Sequence, residues 1–294
     1  MRVLAGVLLT AVTVIMMPSG AQAQASSQQR ICLEDATPPA QRTAACSFVI
    51  TNAPPADARE LTRIYLSRGN AHLVLGVYDR AIADFDAATK VSPTAYAPFN
   101  SRGVAFQSQK QFDRAIPEFD QAIRLNPDDF LALTNRGDTF RMKGHAERAL
   151  QDYDAAVALN PKWAAAYFGR AVVLQQKSVS DFDAFANEGR FEELAIAEYD
   201  KVLRLVPRHA GALVNRGQLY HTLRKYDLAI ADYTQAIASA PANSFFLRQR
   251  ALTYRMIRQY NRAIGDYRNA LTATQDAEER KLIEEQLAQL GASA

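Results

Sequence analysis

The sequence is poor in glycine and cysteine, and its charges nearly cancel. Thirteen glycines in 294 residues fall below the usual share of roughly 7%, which argues against an all-β sandwich or barrel with many tight turns. The net charge of +3 is too balanced to indicate binding to nucleic acid or to an anionic membrane surface. With 48% apolar residues the chain can still bury a sizeable core, and the low glycine content favours helix.

Motifs that carry catalysis or metal binding are absent as well. The sequence has no Gly-x-Ser-x-Gly, no P-loop and no Gly-x-Gly-x-x-Gly. Its histidines form neither His-Glu-x-x-His nor a pair four residues apart, and they are His72, His145, His209 and His221. Acidic residues recur with a fixed period, whereas a catalytic pair would be singular. We therefore expect no catalytic site, no metal site and no cofactor.

The first 23 residues have the pattern of a signal peptide. Arg2 precedes an apolar run over 3–17, and the small-x-small sequence Ala-Gln-Ala follows at 21–23. We expect cleavage before Gln24 or, in a second register, two residues later. An uncleaved anchor is the alternative, although the run is shorter than the roughly 20 residues that span a bilayer. The mature chain is thus predicted to be periplasmic or secreted, with no membrane span.

Cys32 and Cys46 are the only cysteines in the sequence. Because export leads to an oxidising compartment, we expect them to form a disulfide. On the chain-entropy account, that link would stabilise the fold by about 3 kcal/mol. A redox or zinc site is the alternative, but there is no Cys-x-x-Cys motif, third cysteine or nearby histidine.

The rest of the chain repeats itself. Columns of alanine, aromatic residues and proline follow an Arg-Gly or Arg-Ala dipeptide with a period of 34 residues, and one unit carries 12 more. Small residues let two helices approach, the aromatic fills the space between them, and proline ends the second helix. Each unit is therefore predicted to be a helix–turn–helix that buries its apolar face only against its neighbours.

These columns resemble the tetratricopeptide repeat (TPR) family, in the form of an exported bacterial-type member. The resemblance implies an all-α fold, a right-handed α-solenoid of six helix–turn–helix units. Units four and six depart from it by carrying alanine where glycine is usual, and unit six has Gln275 in place of the final proline. The units are predicted at 62–95, 96–129, 130–163, 164–209 with the insertion, 210–243 and 244–277.

Both ends of the repeat array are predicted to be capped. Residues 24–61 align as a degenerate half-repeat, whose helix begins near Thr43 and which the disulfide ties down. Residues 278–294 form a capping helix and tail. The capping helix is predicted to turn one apolar side inward, comprising Leu282, Ile283, Leu287 and Leu290.

The arginine of each dipeptide recurs together with an acid one residue before the aromatic column. We interpret these residues as ion pairs between the two helices of each unit, because arginine can hold a carboxylate through two hydrogen bonds. The alternative is a cationic stripe for a polyanion such as a polysaccharide or nucleic acid, but export argues against nucleic acid. The pairs are Arg68 with Asp84, Arg102 with Glu118, Arg136 with Asp152, Arg170 with Glu198, Arg216 with Asp232, and Arg250 with Asp266.

The resemblance implies that the first helices line a concave groove for an extended peptide or a partner helix. The family's Lys/Asn/Arg clamp for a C-terminal carboxylate is incomplete, because Asn135 and Asn215 match single positions and the lysines are missing. Asparagines here can also simply bond to helix ends. The groove candidates are Arg63, Asn70, Asn100, Thr134, Asn135, Asp138, Arg141, Phe168, Gln175, Asn215, Gln218, His221, Arg248 and Arg255.

Function is therefore expected on a surface. We predict a non-catalytic scaffold for protein–protein interactions, serving a process such as cell-envelope assembly, with a protein or peptide partner and no nucleic acid. The alternative is a groove that binds a peptidoglycan or polysaccharide fragment, which would need more aromatics than Phe168 and Phe245 to stack on sugars. In the unit-four insertion, Phe182 and Phe185 are candidates for a partner contact or for packing back onto the unit.

Overall fold

A computed structural model of the protein describes residues 19–180 and 190–292. Over these ranges the chain forms helices and connecting turns, with no β-strand, and the all-α prediction is confirmed. Phe182 and Phe185 of the insertion lie outside the described residues, as does most of the predicted signal peptide. The helices are α1 (Ser19–Leu33), α2 (Pro39–Asn52), α3 (Ala58–Val74), α4 (Tyr78–Val91), α5 (Tyr96–Ser108), α6 (Phe112–Leu125), α7 (Phe130–Met142), α8 (Ala146–Leu159), α9 (Ala164–Ser180), α10 (Arg190–Leu205), α11 (Ala210–Thr222), α12 (Tyr226–Ser239), α13 (Ser244–Met256), α14 (Tyr260–Ala273) and α15 (Ala277–Gln289).

The chain divides into two compact units, one ending at Leu125 and the other beginning at Asn126. In the first, α3 pairs with α4 and α5 with α6. In the second, α7 pairs with α8, α9 with α10, α11 with α12, and α13 with α14. Within each of these two compact units, the second helix of one helix pair packs on the first helix of the next pair, as in a TPR solenoid. No helix in the described part of the chain is long and apolar enough to cross a membrane.

The contact between the two helices of a pair depends on the glycine and aromatic columns. Phe119 on α6 is fully buried beneath Gly103 on α5, and Tyr233 on α12 is buried beneath Gly217 on α11. A Cβ atom at Gly103 would lie 2.6 Å from Phe119 Cε1, a separation that real side chains do not tolerate. The small residue is therefore what lets the ring fill the space between the helices.

The N-terminal segment contains more helix than the half-repeat prediction allowed. Two helices, α1 and α2, pack on each other and on α3, whereas the sequence alignment provided only for a helix starting near Thr43. Their contact is held by the Cys32–Cys46 disulfide, with 4.8 Å between the Cα atoms. Both cysteines are buried beside Val49 and Ile64, so the disulfide forms part of the core that joins α1 and α2 to the repeats.

At the other end, α15 packs on α14 as the predicted cap. Its N-terminus is capped by Asp276, whose carboxylate accepts a hydrogen bond from Glu279 N at 2.7 Å. Ile283 and Leu287 are fully buried and Leu290 is partly buried against the same cluster. Leu282 is 42% exposed, so its assignment to the apolar side is wrong: residues 283, 287 and 290 form one stripe at helical spacing, and 282 lies beside it.

Candidate partner-binding groove

The six dipeptide arginines all contact their predicted acids. In Arg136, Nε lies 2.8 Å from Asp152 Oδ2 and Nη2 lies 2.6 Å from Asp152 Oδ1. Arg216 and Arg250 bind their acids in the same bidentate geometry. In Arg68, Arg102 and Arg170, Nη2 lies 2.6–2.7 Å from a carboxylate oxygen of the predicted acid. Hydrogen bonds to Asp232 raise the pKa of Arg216, so this guanidinium stays charged. Because the guanidinium group of each of these arginines is paired with a carboxylate of the same unit, the arginines do not form a cationic stripe that could bind a polyanion.

Sequence reasoning missed a second partner of these arginines. Nη1 of Arg170 lies 2.5 Å from Asp154 and Nη1 of Arg216 lies 2.5 Å from Asp200, each acid coming from the preceding repeat. Arg102 contacts Asp86 in the same way. The signal is present in the sequence, since each of these acids stands one residue after the aromatic column. In these repeats the arginine therefore joins two consecutive second helices.

The groove candidates of the first compact unit lie on α3 and α5. Arg63 and Asn70 are exposed on α3, and Asn100 is half-buried on α5.

In the second compact unit, the candidates on α7 form a polar network. The phenol of Tyr153 on α8 donates to Asp138 Oδ1 at 2.8 Å, and Arg141 Nη2 donates to the same oxygen at 3.4 Å. Burial is the main reason that the pKa of Tyr153 is raised, so the phenol keeps its proton. Asp138 and Arg141 are half-buried, and the buried ring of Tyr153 holds Asp138 in place. Asn135 is half-buried on the same helix.

Thr134 is a wrong assignment. It is only 4% exposed. Its hydroxyl donates to the Phe130 carbonyl at 2.7 Å and accepts from Trp163 Nε1 at 3.1 Å. The tryptophan fills the space above this position, so Thr134 supports the repeat and does not line the groove.

The candidates on α9 and α11 meet around Tyr199. Its phenol donates to Gln175 Oε1 at 2.8 Å and accepts from Asn215 Nδ2 at 3.0 Å. Burial raises the pKa of Tyr199, which keeps it a hydrogen-bond donor. Gln175 and Asn215, together with Val172 and Gln176, line a cavity of about 440 Å³. Two neighbouring first helices therefore present amides around one opening.

Phe168 lies on α9, in the same repeat as Tyr199. It is half-buried, with its ring centroid 5.9 Å from that of Tyr199 and 4.9 Å from that of His209. The phenylalanine is thus packed by its neighbours on both sides, and it supports the amides more than it offers a free stacking surface.

The candidates of the last two repeats are engaged by other helices. Thr253 donates to the Gln249 carbonyl, so in its 2.9 Å contact with His221 Nδ1 the histidine is the donor. Arg248 lies 3.2 Å from Glu279, and Arg255 Nη1 donates to Gln289 at 3.1 Å and also to Gln286, all three on α15. The capping helix therefore holds both arginines. Gln218 is half-buried on α11.

A sequence model of the tetratricopeptide repeat matches residues 66–130, 100–162, 135–188 and 182–244. Together these matches span more than half of the chain. The protein belongs to the tetratricopeptide repeat family. No curated protein matches the TPR chain in sequence.

Solved structures show the same fold at low sequence identity. PilF of Pseudomonas aeruginosa superposes with a TM-score of 0.66 and 17% identity over 78% of this chain and 99% of that chain. A TPR protein of Parabacteroides merdae has a TM-score of 0.62 and 15% identity over 92% and 99%. YrrB, described as a TPR protein with an unusual peptide-binding site, has a TM-score of 0.52 and 14% identity over 68% and 97%. The TPR fold supports a scaffold for protein–protein interactions.

Proposed function

We propose that this TPR protein is a non-catalytic scaffold that binds an extended segment of a partner protein in its second compact unit. The cavity lined by Val172, Gln175, Gln176 and Asn215 carries the proposal. We place the protein in the periplasm or outside the cell, in the service of cell-envelope assembly, because residues 1–23 have the pattern of a signal peptide.

The chemistry of this cavity suits a peptide main chain. Amide side chains both donate and accept hydrogen bonds, as the peptide group does. Tyr199 fixes Gln175 and Asn215 through its own hydrogen bonds, so little side-chain freedom is lost when a ligand binds. Val172 adds apolar lining between the amides. Recognition would thus depend on backbone geometry together with one apolar contact.

A photo-crosslinking amino acid at Gln176 tests the site directly, since this residue is exposed and lines the cavity. We expect a covalent adduct with a protein in cells that express the full chain. The same substitution at Gln235, exposed on the second helix α12, is the matched control and should give none. An adduct carrying saccharide would instead support the peptidoglycan or polysaccharide alternative, and equal labelling at both positions would contradict a groove site.

Asn215→Ala provides the quantitative test with the partner so identified. Because a net hydrogen bond contributes about 1 kcal/mol, the Kd should rise about fivefold. Gln235→Ala should leave the Kd unchanged. Thermal unfolding of both variants checks that the repeats are intact. An unchanged Kd for a folded Asn215→Ala would remove this amide from the binding surface.

Processing of the N-terminus is tested separately. Intact-mass measurement of the protein recovered from the periplasm should give a chain that begins at Gln24 or, in the second register, at Ser26. A chain that retains residues 1–23 in the membrane fraction would support the uncleaved anchor and argue against the proposed location.

A further inference from the structure

A second cavity lies in the first compact unit, between α2, α3 and α4. Its volume is about 360 Å³, and its charged and polar lining comes from Ser47, Arg68, His72, Arg80 and Asp84, with Thr43, Ala44 and Ala83 completing the wall. None of these residues is a groove candidate, and the proposed scaffold function makes no use of them.

Arg68 lacks the second carboxylate that Arg102, Arg170 and Arg216 have. Its Nε and Nη2 hold Asp84, as expected, but Nη1 donates to the hydroxyl of Ser47 at 3.0 Å. Ser47 directly follows Cys46, which occupies the aromatic column, so it stands where later repeats have Asp86, Asp154 and Asp200. Those acids contact Nη1 of Arg102, Arg170 and Arg216. The first repeat thus has the arginine but no acid opposite this nitrogen.

His72 replaces the large apolar residue that other repeats have at the same position. In three of them the arginine at the position equivalent to Arg80 lies over the corresponding aromatic ring, as Arg114 does over Phe106 at 4.0 Å from guanidinium carbon to ring centroid. The others are Arg148 over Phe140 and Arg262 over Tyr254. His72 Nδ1 is buried without a hydrogen-bond partner in the described structure, and its Nε2 lies 3.9 Å from Asp84 Oδ2. His72 therefore contributes a polar ring to the wall of the cavity, where the other repeats have a large apolar or aromatic residue.

The charges around the cavity do not cancel. Arg68 and Arg80 contribute two positive charges and Asp84 one negative charge, while α2 contributes only hydroxyl groups. Among the residues that the structure describes, Arg80 forms no ion pair, and Asp84 is occupied by Arg68. Burial lowers the pKa of His72, Asp84 opposes the shift, and Arg68 and Arg80 add to it. One positive charge is therefore left for a ligand.

We propose that this cavity binds a carboxylate, in the place that an aspartate side chain fills opposite Arg102, Arg170 and Arg216. Arg68 Nη1 and Arg80 supply the charge. The hydroxyl of Ser47 donates a hydrogen bond to the ligand, because its oxygen accepts from Arg68 and its own hydrogen is left to donate. The single net charge matches a monoanion, whereas a phosphate dianion would leave one negative charge uncompensated next to Asp84.

Nuclear magnetic resonance of the full chain tests the site with two probes, sodium acetate and N-acetylglutamate N-methylamide. We expect saturable shifts of the His72 ring signals and a rise of the His72 pKa in the presence of either probe. Tighter binding of the blocked glutamate would identify the ligand as an acidic side chain of a partner, and equal binding would identify a free carboxylate. Absence of saturable shifts with both probes, or tighter binding of inorganic phosphate, would overturn the proposal.

Two substitutions separate the site from general effects on folding. Ser47→Asp puts the missing carboxylate into the chain, so it should abolish acetate binding without lowering the melting temperature. Arg80→Gln leaves the Arg68–Asp84 pair intact and should raise the acetate Kd about tenfold, as expected for a lost charge-assisted hydrogen bond. Thr234→Asp is the matched control, because Thr234 accepts from Arg250 Nη1 at the equivalent place; it should leave acetate binding unchanged. Acetate affinity that is unaltered in both Ser47→Asp and Arg80→Gln would overturn the assignment.

Discussion

Replacing Arg216 with alanine should lower the free energy of unfolding by about 3–5 kcal/mol, the usual effect of removing one member of a buried ion pair. Its partner Asp232 has a side chain only 4% exposed, so its charge would be left uncompensated in the core. Asp200 would lose its contact with the same guanidinium. Because repeat arrays need not unfold in one step, both urea unfolding and amide hydrogen exchange in α11 and α12 should be measured.

Two further variants identify the cause of this loss. Arg204→Ala removes an exposed arginine of α10 and should change the stability by less than about 0.5 kcal/mol. Arg216→Met combined with Asp232→Leu removes both charges of the buried pair and should be more stable than Arg216→Ala alone, because the only carboxylate left without Arg216 is the more exposed Asp200. If Arg216→Ala unfolds at the same urea concentration as the wild type, the ion pair has no structural role and the polyanion interpretation regains support.

Removing the disulfide should release the N-terminal helices while the repeats stay folded. In Cys32→Ala/Cys46→Ala, we expect α1 and α2 to lose about 3 kcal/mol of stability and their amide protection with it. Each repeat depends on its immediate neighbours, so protection from α5 onward should be retained. The buried cluster around Cys46, Val49 and Ile64 would be the first to exchange.

Hydrogen exchange read by mass spectrometry compares the double variant with the oxidised wild type. Ser67, whose hydroxyl donates to the Cys32 carbonyl, provides a control: Ser67→Ala removes one hydrogen bond but keeps the disulfide, and should affect protection far less. Loss of protection across all the repeats in the double variant would show that the array folds as one cooperative body, contrary to the nearest-neighbour account.

Periodicity was sufficient to predict the helix pairs and the arginine–acid contacts, because both repeat with the sequence. What it could not predict depends on neighbours whose residue types do not recur from repeat to repeat. Thr134 is in a groove column, yet it is buried because Trp163, which has no counterpart in the other units, covers it. Arg248 and Arg255 are held by α15, whose sequence does not follow the repeat.

The N-terminal helix α1 escaped prediction for a different reason. Its sequence is rich in alanine, serine and glutamine and has no strong apolar stripe, so its helical state depends on packing against α2 and α3. The disulfide was predictable from the cysteine count and the expected compartment. That Ser47 stands in the place of an acid follows only from the structure, which shows Asp86, Asp154 and Asp200 in contact with Nη1 of the later arginines.

The Arg170–Glu198 contact explains how unit four can carry additional chain. The two residues are 28 positions apart where the other pairs are 16 apart, yet Nη2 lies 2.6 Å from Glu198 Oε2, as close as in the shorter units. Closing a longer loop costs little, since doubling its length adds only about 0.6 kcal/mol of entropy, and a charged contact between fixed helices outweighs that cost. The connection between α9 and α10 is therefore a position where evolution, or a protein engineer, can lengthen the chain and graft a new segment without redesigning the repeat.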